Sequence, residues 1–220
     1  MTSPEQLNAA LRDLIQVVRT AEIPEEEAAS AIEAVRRATA VLRPHVVDDM
    51  RMQLSLHPHH LITEAAFADH EHDSPRHGLG GLDPSDYFPY SPVTGALNPI
   101  APPCRMWRVD GDPVEIHGEV TFGDAYNGAP DTVHGGALAA VLDELLGAVA
   151  GANGLGGFTG TLVVRYRARS PLGEPIALRG WLTGTEGRKV YTSGELREGK
   201  TLLAEADGVF IRSDMHPMTA

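Results

Sequence analysis

Cysteine is nearly absent. The 220-residue chain has one, Cys104, which excludes an internal disulfide and favours a reducing compartment. Basic charge is scarce too: 18 lysines and arginines stand against 30 acidic residues, for a formal net charge of −12. A chain of that sign has no basic surface for a phosphate backbone, so nucleic-acid binding is not expected. The start, MTSPEQLNAALRD, lacks a basic leader followed by an apolar core, and no apolar run approaches about 18 residues without a charge. Neither export nor a membrane span is expected, which places the protein in the cytoplasm. Also missing are a Walker loop, a GxGxxG fingerprint, a GxSxG elbow and any internal repeat.

What is there divides into three stretches. Residues 1–45 predict a helical hairpin. Ser3-Pro4-Glu5-Gln6 combines a capping serine, a first-turn proline and a glutamine three residues after the cap, and Leu7, Leu11, Leu14 and Val18 then form one stripe. A second helix over 24–42 carries Glu25, Glu26 and Glu27 in its first turn and a stripe of Ile32, Val35, Thr39 and Leu42, with Pro44 to end it. The hairpin is expected to pack on the core or on a partner subunit. Residues 46–103 form an irregular segment rich in histidine and proline, with short helices expected near 51–56 and 63–70. His57, His59, His60, His70, His72 and His77 fall here among acids, but they have no cysteine among them and no zinc spacing, so no metal is expected. The end of the segment, YFPYSPVTGALNPIAPP, is too broken by proline for sheet or helix and is expected to cover a pocket.

Residues 104–213 alternate as strands do. Two are expected at 106–109 and 114–122 and four more at 159–169, 175–183, 189–195 and 201–211, joined by turn-like Gly-Thr-Glu-Gly and Arg-Glu-Gly-Lys. Between the two groups lies TVHGGALAAVLDELLGAVA, residues 132–150, apolar almost all round after its glycine pair. An antiparallel sheet with one helix too apolar for a surface predicts an α+β fold in which a curved sheet wraps that helix. Two carboxylates interrupt the helix, Asp143 and Glu144, and a carboxylate there is costly unless it is paired, faces an interface or serves chemistry. Gly135 and Gly136 leave the first helix N–H groups unblocked for a developing negative charge. If the helix begins at the glycines, Asp143 lies about 13 Å along its axis from His134. Either the two are not partners, or a second subunit brings its own Asp143 to this turn.

His134-Gly135-Gly136, Asp143 and Thr159, followed by Leu162-x-x-x-Tyr166, Ser170-Pro171-Leu172, Glu186-Gly187-Arg188-Lys189 and Ala204-Glu205-Ala206, resemble the hotdog-fold acyl-CoA thioesterases of the phenylacetate-pathway (PaaI-like) type over residues 105–212. The resemblance implies a hotdog fold and hydrolysis of an acyl-CoA to free acid and CoA without metal or redox cofactor. It also implies sites shared between subunits of a homodimer or a dimer of dimers. Gly135 and Gly136 would then polarise the carbonyl, His134 would support the turn, and Asp143 would be general base or nucleophile. Thr159 would hold the water or orient the carboxylate, or is an ordinary strand threonine. Asn127, seven residues before His134, has no role assigned. Arg165, Arg167 and Arg169 share one strand face, and Arg188 and Lys189 sit at a hairpin turn. These five are candidates for the CoA phosphates, with a solvated strand face as the alternative for the three arginines. Two rivals remain: a hotdog hydratase or dehydratase, and a non-catalytic acyl-CoA-binding module.

Overall fold

The computed structural model describes residues 3–47, 79 and 82–212. The six histidines named above and the two short helices expected beside them lie outside the described residues. Helix α1 (Pro4–Thr20) starts with the expected capping box, Ser3 and Gln6 each bonding the other's backbone N–H. Helix α2 (Glu25–Leu42) runs on into a 3-10 turn at Arg43–His45. Neither helix has a buried residue, and they share little surface, so hairpin describes how they are connected and not how they pack. Helix α1 is fastened to the rest of the chain by polar side chains. Gln16 Nε2 donates to Asp124 at 2.9 Å, and Arg12 donates to the carbonyls of Ala96 and Asn98 at 3.2 and 3.1 Å.

The body of the chain is a six-stranded antiparallel sheet closed over one helix. Its strands are β1 (Cys104–Val109), β2 (Glu115–Thr121), β3 (Gly157–Tyr166), β4 (Pro175–Glu186), β5 (Lys189–Glu198) and β6 (Thr201–Arg212), in the order β1-β2-β4-β5-β6-β3. The central helix, α4 (Gly135–Ala152), joins β2 to β3 and so carries the chain from one side of the sheet to its far edge. Leu138, Val141, Leu142, Leu145, Leu146 and Val149 of α4 are all buried against Ile116, Ile176, Val190, Leu196 and Phe210 of the strands. Each such side chain contributes roughly 1.5–3 kcal/mol by leaving water. Among the described residues α4 is also the one helix long and apolar enough to cross a membrane, yet that apolar surface is enclosed by the sheet.

Glycine makes the close approach possible. Gly180 and Gly194 are paired across β4 and β5, and a Cβ on Gly180 would lie 2.8 Å from Val149. A Cβ on Gly194 or on Gly208 of β6 would lie 3.0 Å from Leu146. The helix therefore rests in a trough of missing side chains.

The two sheet edges differ. A strap of chain leads into β1 through the short helix α3 (Pro84–Tyr87), and its side chains occupy the outward amides of β1: Arg108 N–H donates to Asp83 at 2.9 Å and Met106 N–H to Ser85 at 2.7 Å. The β3 edge has no partner strand among the described residues, and Phe158, Val163 and Tyr166 stand exposed along it. β3 is also shorter than the expected 159–169. Beyond Tyr166 the amides of Arg167 and Ala168 both turn to the Leu203 carbonyl, and the chain leaves the ladder.

Candidate active site at the turn before the central helix

His134 is the N-cap of α4, so the helix does begin at the glycines and the axial distance of about 13 Å to Asp143 stands. The loop before it is tied down by backbone bonds from Val133 N–H to Ser170 O and from His134 N–H to Tyr126 O. Asn127 belongs to this loop: its side-chain amide donates to the carbonyls of Ala129 and Thr132. At the turn, Gly136 N–H donates to His134 Nδ1 at 3.0 Å. Accepting at Nδ1 leaves the proton of the neutral ring on Nε2, as suits a residue that supports the turn. It also divides the expected pair of donors. Gly136 N–H is engaged within its own turn, and Gly135 N–H has no acceptor among the described residues. Gly135 is gripped from outside, because Tyr166 Oη donates to its carbonyl at 2.8 Å.

Asp143 lies on the side of α4 that faces β3, where Thr159 Oγ1 donates to its Oδ1 at 3.0 Å. That contact depends on an irregularity. On β3 the helix-facing residues are Leu162, Val164 and Tyr166, and Thr159 has the opposite parity. A register shift between Thr159 and Thr161 inserts one residue, Gly160, and turns Thr159 back towards the helix. Strand β3 thus reaches α4 at both places that matter, Gly135 and Asp143.

Glu144 points elsewhere. Its Oε1 is buried without a hydrogen-bond partner, and the strap lies over it. Burial raises its pKa, the charge of Asp143 adds to the effect, and the buried Ser91 and Thr94 hydroxyls oppose it. Cys104 lies close by, and burial and then Glu144 push its thiol up to about 12. Adjacent carboxyls thus sit in different settings, Glu144 beneath the strap and Asp143 against Thr159.

The arginines of β3 lie outside this arrangement. Arg165 bonds Asp207 at 2.6 Å and Arg167 bonds Glu205 at 3.1 Å, both on the outer face of the sheet, away from α4. Asp207 is shared with Ser193, and Arg165 and then Ser193 hold its carboxyl below the usual range. Arg165 and Arg167 thus share that outer face, each ion-paired to β6, although Arg167 and Arg169 lie beyond the end of the strand. Arg188 spans the Gly187 turn and donates to the Arg212 carbonyl. Lys189 is exposed and shares Ile211 as a cross-strand neighbour with Phe158, which puts it at the Thr159 end of the sheet.

The model of the thioesterase superfamily matches residues 131–205, from the HGG turn to the middle of β6. The matched region includes every functional candidate from His134 to Lys189. The chain is 34% identical over 94 residues to acyl-coenzyme A thioesterase THEM4 of Bos taurus, covering 42% of this chain and 38% of that protein. Against acyl-coenzyme A thioesterase THEM5 of Mus musculus it is 34% identical over 92 residues, covering 41% of this chain and 37% of that one. The chain thus spans less than two fifths of these relatives' length. The crystal structure of a thioesterase superfamily protein has the same fold over nearly the whole length, with a TM-score of 0.75 and 24% identity over 96% of this chain and 95% of that one. Its coverage includes the N-terminal helices as well as the hotdog body.

Proposed function

We propose that the protein is an acyl-CoA thioesterase that hydrolyses the thioester to a free acid and CoA. The observation that carries this reading is the double contact of β3 with α4, which orders both a free N–H at the helix start and a solvent-facing carboxylate. The names of the relatives, acyl-coenzyme A thioesterases, support the substrate class. Gly135 N–H, at the positive end of α4, polarises the thioester carbonyl and takes up its charge as it becomes tetrahedral. Asp143 accepts from Thr159 on Oδ1, which leaves Oδ2 for a water proton as that water attacks the carbonyl carbon. Collapse of the intermediate expels the CoA thiolate. Direct attack by the carboxylate, with water then cleaving the anhydride, uses the same groups. Lys189, exposed at the Thr159 end of the sheet, is a candidate for a CoA phosphate.

About 13 Å separates the two halves of the machinery in one chain, so the site is shared by two subunits. The open β3 edge supplies the means. If β3 pairs antiparallel with its own copy about a two-fold axis at Val163, Tyr166 of the first chain falls opposite Gly160 of the partner subunit, in the bulge beside Thr159. The partner's Asp143 then arrives beside Gly135, and Phe158, Val163 and Tyr166 leave water.

The test is thiol release from acyl-CoAs of graded chain length and ring content, for the wild type and for Asp143→Asn. The wild type is expected to turn over at least one class. Asp143→Asn, similar in volume but without the base, should lose at least about 100-fold in kcat while still binding CoA. Near-normal turnover by the variant would remove Asp143 from the mechanism.

A further inference from the structure

The hydrogen bond of Tyr166 is not explained by folding. Tyr166 is 52% exposed on an edge strand, where a phenylalanine would present the same ring to the same neighbours. Its hydroxyl nevertheless donates to Gly135 O at 2.8 Å, and its ring lies over the same residue, 3.3 Å from where a Cβ would stand. Gly135 is the pivot between two peptides, and a glycine beside a glycine would let both swing. The preceding peptide, which carries the free N–H, is held by its own carbonyl: His134 O accepts from Ala137 and Leu138. The following peptide is gripped at both ends, its carbonyl by Tyr166 and its N–H by His134 Nδ1.

We infer that Tyr166 is a positioning residue which, together with His134, locks the Gly135–Gly136 peptide and thereby aims Gly135 N–H at the substrate carbonyl. The inference rests on the thioesterase reading. A hydroxyl that fixes a donor acts mainly on the barrier, because the donor's bond to the bound carbonyl is weak and strengthens as the oxygen gains charge. Its loss should therefore appear in kcat and not in KM.

Tyr166→Phe is expected to lower kcat about tenfold, the weight of one hydrogen bond, with KM within about twofold of wild type. The substrate is whichever acyl-CoA of the panel the wild type hydrolyses fastest. The same acyl-CoA, carrying a 13C-labelled carbonyl, is then bound to Asp143→Asn and to Asp143→Asn/Tyr166→Phe. The carbonyl stretch, lowered on binding to the first, should move back towards its free value in the second. His134→Ala, which releases the other end of the same peptide, should give the same two signatures. An active wild type with an unaltered Tyr166→Phe sinks this inference alone, as does a loss of kcat that comes with lowered thermal stability and an unmoved carbonyl stretch. A wild type that releases no thiol from any acyl-CoA sinks the hydrolysis reading first.

Discussion

One step along α4 takes the chain from Asp143, beside Thr159 on the open side, to Glu144, whose Oε1 is sealed under the strap. For Glu144 the raised folded-state pKa sets the sign of its effect on stability. Below the ordinary carboxylate range both folded and unfolded chains hold the proton and its contribution is fully present. As pH rises, the unfolded chain gives up a proton that the folded chain keeps, and stability is lost through the folded value. Glu115 runs the other way. Arg179 and then His117 hold it at about 2, so its contribution is present above the ordinary value and lost as pH falls through the folded one. Glu144→Gln, neutral throughout, should therefore flatten the decline of Tm as pH rises above the ordinary carboxylate range and leave the acid limb unchanged. Calorimetry of both proteins across that rise is the check, and parallel curves would show that Glu144 ionises freely where it lies.

Elements differ in how plainly the sequence announces them. Ile116, Gly118 and Val120 alternate with exposed or half-buried residues on β2, and Val190, Thr192, Gly194 and Leu196 do so on β5, because one face of each meets α4. Asp143 and the HGG turn are legible for a related reason: polar or very small residues interrupt a helix that is otherwise apolar. Thr159 could be named but not oriented, since the inserted Gly160 that reverses its parity leaves no mark in an edge strand exposed on both faces. The ion pairs of Arg165 and Arg167 could not be foreseen, because their partners, Asp207 and Glu205, lie about 40 residues away and are set by register alone. The strap is expected as an irregular cover, but its place at the sheet edge is hidden. It has no period to read, yet Asp83 and Ser85 take the place of a missing strand beside β1. Removing both side chains in Asp83→Ala/Ser85→Ala should cost about 1 kcal/mol each and about 2 kcal/mol together. Urea unfolding measures it, and a midpoint equal to wild type would mean that water replaces both acceptors without loss.

At the scale of the molecule, the distance between Gly135 and Asp143 becomes a statement about subunits. Take one chain with Asp143→Ala and another with Gly135→Val, whose new side chain would press on the Tyr166 ring. If each site draws its turn from one chain and its carboxylate from the other, a mixed dimer has one intact site and one doubly damaged site. About half of the wild-type activity per dimer should return. Purified mixed dimers as inactive as either parent would place the whole site within a single chain. The difference between the sheet's two margins has its own consequence for how far such association can go. A sheet open at both margins can add copies without limit and become a fibre. In the proposed dimer, strand addition would consume β3, the open margin among the described residues, and leave outermost β1, whose Arg108 and Met106 amides are already occupied by Asp83 and Ser85. Assembly proposed through that margin would terminate at two, by geometry and without any separate stop signal.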